Sequence, residues 1–272
     1  MVDCYKPTSL KEALDILAKE SVTPYAGGTD LMIKPDENAT YLFLDKVAEM
    51  KNIVEDKEYI RIGAACTYTD IIENEFIPAV LKEAVLQIAA PAIRNLGTVG
   101  GNICNGSPKA DSALIIFATD SKLRLANNRG ERVIPISDFY LGRKNTAIEK
   151  DELLVEILMN KNNLNNYYYK KVGERNALAI SRVSFVGIIN IVDDKVFNCR
   201  TAFGAVSDVV ISRPDIDAML IGKTVEEAKA LKDKYLAAYE KEIVPIRGRV
   251  SAKYRKTVCM NLLRDFLESN GI

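Results

Sequence analysis

Apolar positions along the chain change period several times, and each change marks an element. Leu10, Ala13, Leu14 and Leu17 fall at i, i+3, i+4 and i+7, so the spacing predicts a helix from about Ser9, with Ser9 and Glu12 in capping-box positions. A short strand at Thr23 to Ala26, the turn Gly27-Gly28-Thr29-Asp30 and a β-rich stretch from Ala39 to Asp45 complete a small α/β lobe. Tyr59 to Ala65 alternates Ile60, Ile62 and Ala64 against Tyr59, Arg61 and Gly63, and Thr67 with Asp70 reads as the next helix start. Pro78 takes the first helical position before Leu81, Ala84, Val85 and Ile88, and that pattern stops at Ala89-Ala90-Pro91.

The densest glycine cluster follows, Gly97-Thr98-Val99-Gly100-Gly101-Asn102. From Asp111 to Ala118 the run is short and apolar and reads as a helix, although a strand remains open. Lys122 to Leu125 and Arg132 to Ile136 flank Asn127-Asn128-Arg129-Gly130 as a hairpin, and Leu153 to Leu158 is the next apolar run. Five of the seven residues from Asn160 to Asn166 are asparagine, which makes that stretch the expected domain boundary. Beyond it, Tyr167 to Val172, Val183 to Val192 and Val196 to Val206 read as strands, the last two joined across Asp193-Asp194. Helical patterns near Arg213 to Ile221, Thr224 to Glu242 and Ser251 to Ser269 close the chain. Strands followed by helices predict an α+β domain with its helices on one face of an antiparallel sheet. The expected division is residues 1–162, in two α/β lobes of about 1–57 and 58–162, and residues 163–272.

Composition narrows the chemistry. Lys plus Arg equals Asp plus Glu at 37 each among 272 residues, so no global field draws the chain to nucleic acid. No apolar run approaches the roughly 18 residues of a membrane span. The opening Met1 to Pro7 lacks the basic and then apolar pattern of a signal peptide, and the expected location is cytoplasmic. Histidine is absent, which removes His-ligated metal, the Ser-His-Asp triad and imidazole acid-base catalysis together. The five cysteines (Cys4, Cys66, Cys104, Cys199 and Cys259) stand singly, with no C-x-x-C pair to frame an iron-sulfur cluster or a zinc ribbon.

Two nucleotide motifs fail. Gly222-Lys223-Thr224 ends like a P-loop, but the glycine that motif needs at position 217 is Asp217, and no stretch satisfies G-x-G-x-x-G. What remains is a pair of glycine turns, Gly27-Gly28-Thr29-Asp30 and Thr98-Val99-Gly100-Gly101-Asn102. Such turns expose successive amide groups, and without a Cβ a diphosphate approaches closely. Each hydrogen bond to a charged group contributes about 1.5 to 3 kcal/mol, so four or five anchor a dinucleotide without basic side chains. Taken singly, either double glycine is equally a plain tight turn.

The stretches Tyr25-Ala26-Gly27-Gly28-Thr29-Asp30-Leu31, Arg94-Asn95-Leu96-Gly97-Thr98-Val99-Gly100-Gly101-Asn102-Ile103 and Ser107-Pro108-Lys109-Ala110-Asp111 together resemble the FAD-binding subunit of the molybdenum hydroxylases. That family includes the xanthine, nicotinate and aerobic carbon monoxide dehydrogenases. Lys171-Val172-Gly173-Glu174-Arg175 with Ile180-Ser181-Arg182-Val183 resembles the start of its C-terminal flavoprotein domain, and Ser251-Ala252-Lys253-Tyr254-Arg255 its last helix. The resemblance implies an α+β chain: a two-lobed FAD-binding domain of the vanillyl-alcohol-oxidase or PCMH type, then an α+β domain with an antiparallel sheet and helices.

It implies that Ala26, Gly27, Gly28, Thr29, Asp30 and Leu31, with Thr98, Val99, Gly100, Gly101 and Asn102, surround the FAD diphosphate, and that Asn105 is a further cofactor-binding residue. Asp111 matches an acidic contact on the adenosine side, although a helix N-cap is the plainer reading. Leu154 matches an apolar cofactor contact, or is a strand-core leucine. Lys171 matches a lysine near the flavin, or lies on the surface. Tyr167 and Tyr169 share a strand face and could pack near the ring, or in the core. The chain departs from the family at Ala179, often acidic there, and at Ala110, often serine or threonine. It also lacks a cysteine-rich insertion for an extra cluster.

No residue of the chain is expected to be catalytic in its own right, because the flavin carries the redox chemistry. The implied role is to take electrons from 2Fe-2S clusters on a small partner subunit, themselves supplied by a molybdopterin-binding large subunit, and to pass them to NAD(P) or another acceptor. The alternatives are a self-contained FAD oxidase or reductase and a flavin-free assembly subunit.

Overall fold

The computed structural model describes residues 4–175, 178–246 and 248–272. Met1 to Asp3, part of the opening segment read above, lie outside them. The chain forms two compact units that interleave in sequence: one holds the residues up to Ile77 with Ala89–Gly106 and Asp120–Asn160, the other Pro78–Ile88, Ser107–Thr119 and Lys161–Ile272.

In the first unit, strands Cys4–Tyr5, Tyr41–Phe43 and Thr23–Tyr25 make a parallel three-stranded sheet with Tyr41–Phe43 in the middle. Helix Leu10–Lys19 buries the predicted stripe Ala13, Leu14 and Leu17. Its capping box is half formed. The Ser9 hydroxyl accepts from the Glu12 amide at 3.2 Å, but the Glu12 carboxylate turns to the Thr8 amide at 2.8 Å. The box predicted at Thr67 and Asp70 is complete and starts helix Tyr68–Glu73.

A five-stranded antiparallel sheet in the same unit runs Ile53–Glu55, Tyr59–Gly63, Leu153–Asn160, Lys122–Asn127, Gly130–Pro135. The predicted hairpin closes on Asn127, whose side-chain oxygen accepts from Arg129 and Gly130 amides at 2.9 and 3.2 Å. The central strand carries Glu156, which accepts from Arg61 at 2.6 Å and Arg124 at 3.1 Å and so ties three strands together. Its register slips between Leu154 and Glu156, and the Val155 carbonyl in the bulge accepts from the Ala64 amide at 2.9 Å.

The second unit is built on an antiparallel meander, Tyr167–Val172, Val183–Val192, Lys195–Gly204 and Ile211–Ser212. Asp193 and Asp194 take φ of +47° and +59°, the paired left-handed conformation of a two-residue hairpin turn, which aspartate tolerates. Helices Val225–Glu242 and Ala252–Ser269 cover one face with Tyr235, Tyr239 and Phe266 on Phe185 and Phe203. A Cβ at Gly187 would stand 2.7 Å from the Phe266 ring, so glycine lets that helix close on the sheet.

The other face is covered too, by helices Ala79–Leu86 and Asp111–Ala118, which corrects the expectation of helices on one side. Leu114 packs within 3.5 Å of the Cβ position at Gly204. The physical reason is legible afterwards: Val183 to Ile189 is buried at every position rather than at alternate ones, and such a strand needs cover on both faces. The open reading of Asp111 to Ala118 resolves as a helix buried throughout. Pro78 is the N-cap, not the first helical residue, because its ψ of 150° is extended. The pattern near Arg213 to Ile221 yields only the short helix Pro214–Asp217.

Asp217 fastens that helix to the sheet. Its buried carboxylate accepts from the Thr201 amide (2.8 Å) and hydroxyl (2.9 Å) and from the Tyr235 (2.7 Å) and Tyr239 (2.8 Å) hydroxyls. Burial pushes its pKa up to about 6 from 3.8, against the pull of those four donors. A group raised in the folded state favours folding fully below its unfolded value, and that contribution is lost as pH rises through the folded value. Between about pH 4 and pH 7 the wild type should therefore lose about 2 kcal/mol of stability relative to Asp217→Asn, measured by urea unfolding of the full chain. Parallel pH profiles for the two proteins would contradict this.

Candidate functional site

Both glycine motifs belong to the first unit, and its backbone brings them side by side. The segment Ala26 to Asp30 leaves strand Thr23–Tyr25 and enters the short 3-10 turn Leu31–Ile33, closed by Met32 amide to Gly28 carbonyl at 2.9 Å. Gly28 has φ +67°, and a Cβ there would stand 2.1 Å from the Tyr25 hydroxyl, so a side chain is disfavoured both by the backbone conformation and by this contact. Gly27 lies against the Leu96 carbonyl, and the Thr29 hydroxyl is 3.3 Å from the Cβ position of Gly97. The amides of Gly27, Gly28, Thr29 and Asp30 donate to no described residue.

The second motif is built differently. Thr98 is the N-cap of helix Val99–Cys104, so the predicted turn is the first turn of a helix. Residues 97–100 run along residues 64–68: Tyr68 amide to Gly97 carbonyl (2.9 Å), Val99 to Cys66 (3.1 Å), Gly100 to Ala64 (3.0 Å). Gly101 donates to the Thr98 hydroxyl at 3.0 Å and Asn102 to the Thr98 carbonyl at 3.1 Å. Every amide from Val99 to Asn102 is thus engaged within the chain. A Cβ at Gly100 would stand 2.5 Å from both the Cβ and the carbonyl oxygen of Ala64. Gly101 is exposed, and its Cβ position faces Ala26 at 3.8 Å. Gly100 serves packing, whereas Gly101 leaves open the surface facing the first loop.

The remaining predicted residues separate. Asn105 is the C-cap of the same helix, its amide on Gly101 carbonyl at 3.0 Å. Leu154 is 4% exposed in the core of the five-stranded sheet, beside the bulge. Asp111 and Lys171 lie in the second unit as a buried ion pair, Oδ2 to Nζ 2.7 Å. Ser181 donates to the other Asp111 oxygen at 2.6 Å, and Lys171 also donates to the Gln87 carbonyl at 2.8 Å. Asp111 is the first residue of its helix rather than the cap, which is Ala110, and Lys171 is not a surface lysine. Tyr167 donates to Glu83 at 3.0 Å, while the hydroxyl of buried Tyr169 has no partner among the described residues. Sequence reasoning quoted Ser181 without a role, and it missed Ala64 and Cys66 as acceptors, since a carbonyl leaves no mark in residue type. Burial pushes the Cys104 thiol up to about 12, which keeps it protonated and inert.

The pattern described as the FAD binding domain in molybdopterin dehydrogenase matches residues 1–159, and that of the CO dehydrogenase flavoprotein C-terminal domain matches residues 167–270. The chain belongs to this family of FAD-binding subunits. It is 32% identical over 220 residues to the xanthine dehydrogenase FAD-binding subunit of Escherichia coli, covering 76% of this chain and 75% of that one. It is 28% identical over 277 residues to the carbon monoxide dehydrogenase medium chain of Afipia carboxidovorans, covering 98% and 95%. Among solved structures, reconstituted CO dehydrogenase from Oligotropha carboxidovorans superposes with a TM-score of 0.89 at 26% identity, over 98% of this chain and 96% of that chain. Membership makes the protein an oxidoreductase subunit with FAD as its cofactor. The first unit suits that cofactor's diphosphate: the four amides from Gly27 to Asp30 have no acceptor among the described residues, and the exposed Gly101 faces Ala26 at the start of that segment.

The two glycines of the second motif should respond differently to alanine. Gly100→Ala should cost about 1 to 3 kcal/mol, measured by unfolding of flavin-free protein, because Ala64 is backbone and methyl with nowhere to move. Gly101→Ala meets only the Thr98 hydroxyl at 2.9 Å, and alanine's better helix propensity, about 1 kcal/mol, offsets that contact, so it should cost little or nothing. Equal costs would refute this division.

Proposed function

We propose that the chain is the FAD-carrying electron-transfer subunit of a molybdenum hydroxylase. It assembles with a molybdopterin-binding large subunit and a 2Fe-2S small subunit, takes electrons from the iron-sulfur clusters and passes them to NAD(P) or another acceptor. The observation that carries the reading is the row of unclaimed amides from Gly27 to Asp30, next to the exposed Gly101. Four such donors hold a dianion by roughly 1.5 to 3 kcal/mol each, and the balanced net charge of the chain supplies no alternative field.

Bound FAD supplies the exchange between one-electron and two-electron carriers. The residues of the chain bind and orient. Gly27 to Asp30 donate amides to the diphosphate, and Thr98 is spent on its own helix, leaving Gly101 as a smooth wall. No histidine is required, since no side chain has to remove a proton from an organic substrate. The names of two relatives, the xanthine dehydrogenase FAD-binding subunit and the carbon monoxide dehydrogenase medium chain, support this reading.

Native purification should recover the chain with molybdenum, iron and an absorbance band at about 450 nm from FAD. Gly28→Val should abolish that band while the second unit stays folded, because the variant strains the left-handed turn. Normal flavin content in Gly28→Val would refute the loop assignment. A purified lone chain that reduces its flavin with an organic substrate would favour the self-contained oxidase, and a colourless wild-type complex the assembly subunit.

A further inference from the structure

Tyr25 closes strand Thr23–Tyr25 just ahead of the loop of unclaimed amides, and both its backbone and its ring are held by the sheet of the first unit. In the backbone it lies in register with Phe43, and its carbonyl accepts from the Leu44 amide at 2.9 Å. Its ring packs 4.5 Å from that of Phe43 and meets Tyr41 edge-on at 5.7 Å. The sheet thus sets where the phenol ends. It ends against Gly28, whose Cβ position is 2.1 Å from the hydroxyl oxygen and 2.2 Å from the ring carbon that carries it. Glycine at this position serves the left-handed turn and also makes room for a hydroxyl.

That hydroxyl is not spent within the chain. Neighbouring Tyr41 donates to the Asp36 carbonyl at 3.2 Å, whereas the Tyr25 hydroxyl meets no hydrogen-bond partner among the described residues. The ring contacts do not call for it, because phenylalanine would make them equally well. Gly28 is the second of the four residues whose amides are likewise without acceptors, and no lysine or arginine stands between Tyr25 and Leu31. Side-chain and backbone donors therefore gather on one short, half-buried segment.

We infer that the Tyr25 hydroxyl is a further donor to the diphosphate of FAD, placed by the sheet rather than by the loop that carries the amides. This rests on the flavin reading above and adds a side-chain contact to a site otherwise built of backbone. The amides are fixed in direction by the turn, while a hydroxyl rotates its proton toward whichever oxygen is in reach. A diphosphate offers several such oxygens, and a hydrogen bond to an ionised acceptor is about twice as strong as one between neutral groups.

The test is FAD binding to the deflavinated full chain, followed by flavin fluorescence, with inorganic pyrophosphate as the competitor. Tyr25→Phe keeps the ring on Phe43 and Tyr41 and removes only the hydroxyl. It should weaken FAD and pyrophosphate alike by about tenfold, the loss of one hydrogen bond to a charged group. The urea midpoint of the flavin-free chain should stay at the wild-type value. Wild-type affinity for both ligands would overturn the inference. A loss for FAD with pyrophosphate unchanged would also overturn it, since the hydroxyl would then meet another part of the cofactor. A lowered urea midpoint counts against it too, because the hydroxyl would then act by supporting the fold. A wild-type chain that takes up no FAD is a separate outcome, which fails the functional proposal and the inference together.

Discussion

The first unit depends on a short backbone relay. The bulge carbonyl at Val155 accepts from Ala64, and the Ala64 carbonyl accepts from Gly100, so the second glycine motif hangs from the central strand of the five-stranded sheet through one intervening residue. The relay works only if helix Val99–Cys104 approaches Ala64 closely, and the missing Cβ at Gly100 permits that. It also has a cost for binding: amides that hold the motif in place are no longer available to a ligand. Two sequence motifs that look alike therefore divide the work, one as buttress and the other as donor.

The same economy of backbone polar groups governs the first loop. Buried amides must be paired, whereas amides at a partly exposed turn can wait for an external acceptor. Gly28 holds the turn in a conformation that side chains disfavour, with Tyr25 packed against it and its ring tilted 39° to that of Phe43 at 4.5 Å. Strain at such a position is maintained by surrounding packing, here the aromatic group of Tyr25, Tyr41 and Phe43.

In the second unit the controlling fact is a sheet buried on both faces. On one side aromatic side chains and the Asp217 cluster join sheet to helices, and on the other the Asp111, Lys171 and Ser181 network lies under two helices drawn from earlier in the chain. Neither carboxylate is a catalytic acid in the usual sense. Each is fully occupied by donors, so its contribution is to fix geometry and local charge.

Most elements were legible in the sequence because their causes are local. Leu10 to Leu17, the Thr67 capping box, the Asn127 hairpin and the Asp193-Asp194 turn each depend on residues within one or two turns of each other. The glycine motifs, the absent histidine and the family they belong to are likewise properties of residue order. Tertiary structure alone decided which glycine is packed and which is open, that Asp111 and Lys171 neutralise each other, and that the sheet has helices on both sides. Those outcomes turn on backbone carbonyls such as Ala64, Cys66 and Gln87 and on contacts between distant segments. A carbonyl is present at every residue, so its availability is written in position and not in residue type.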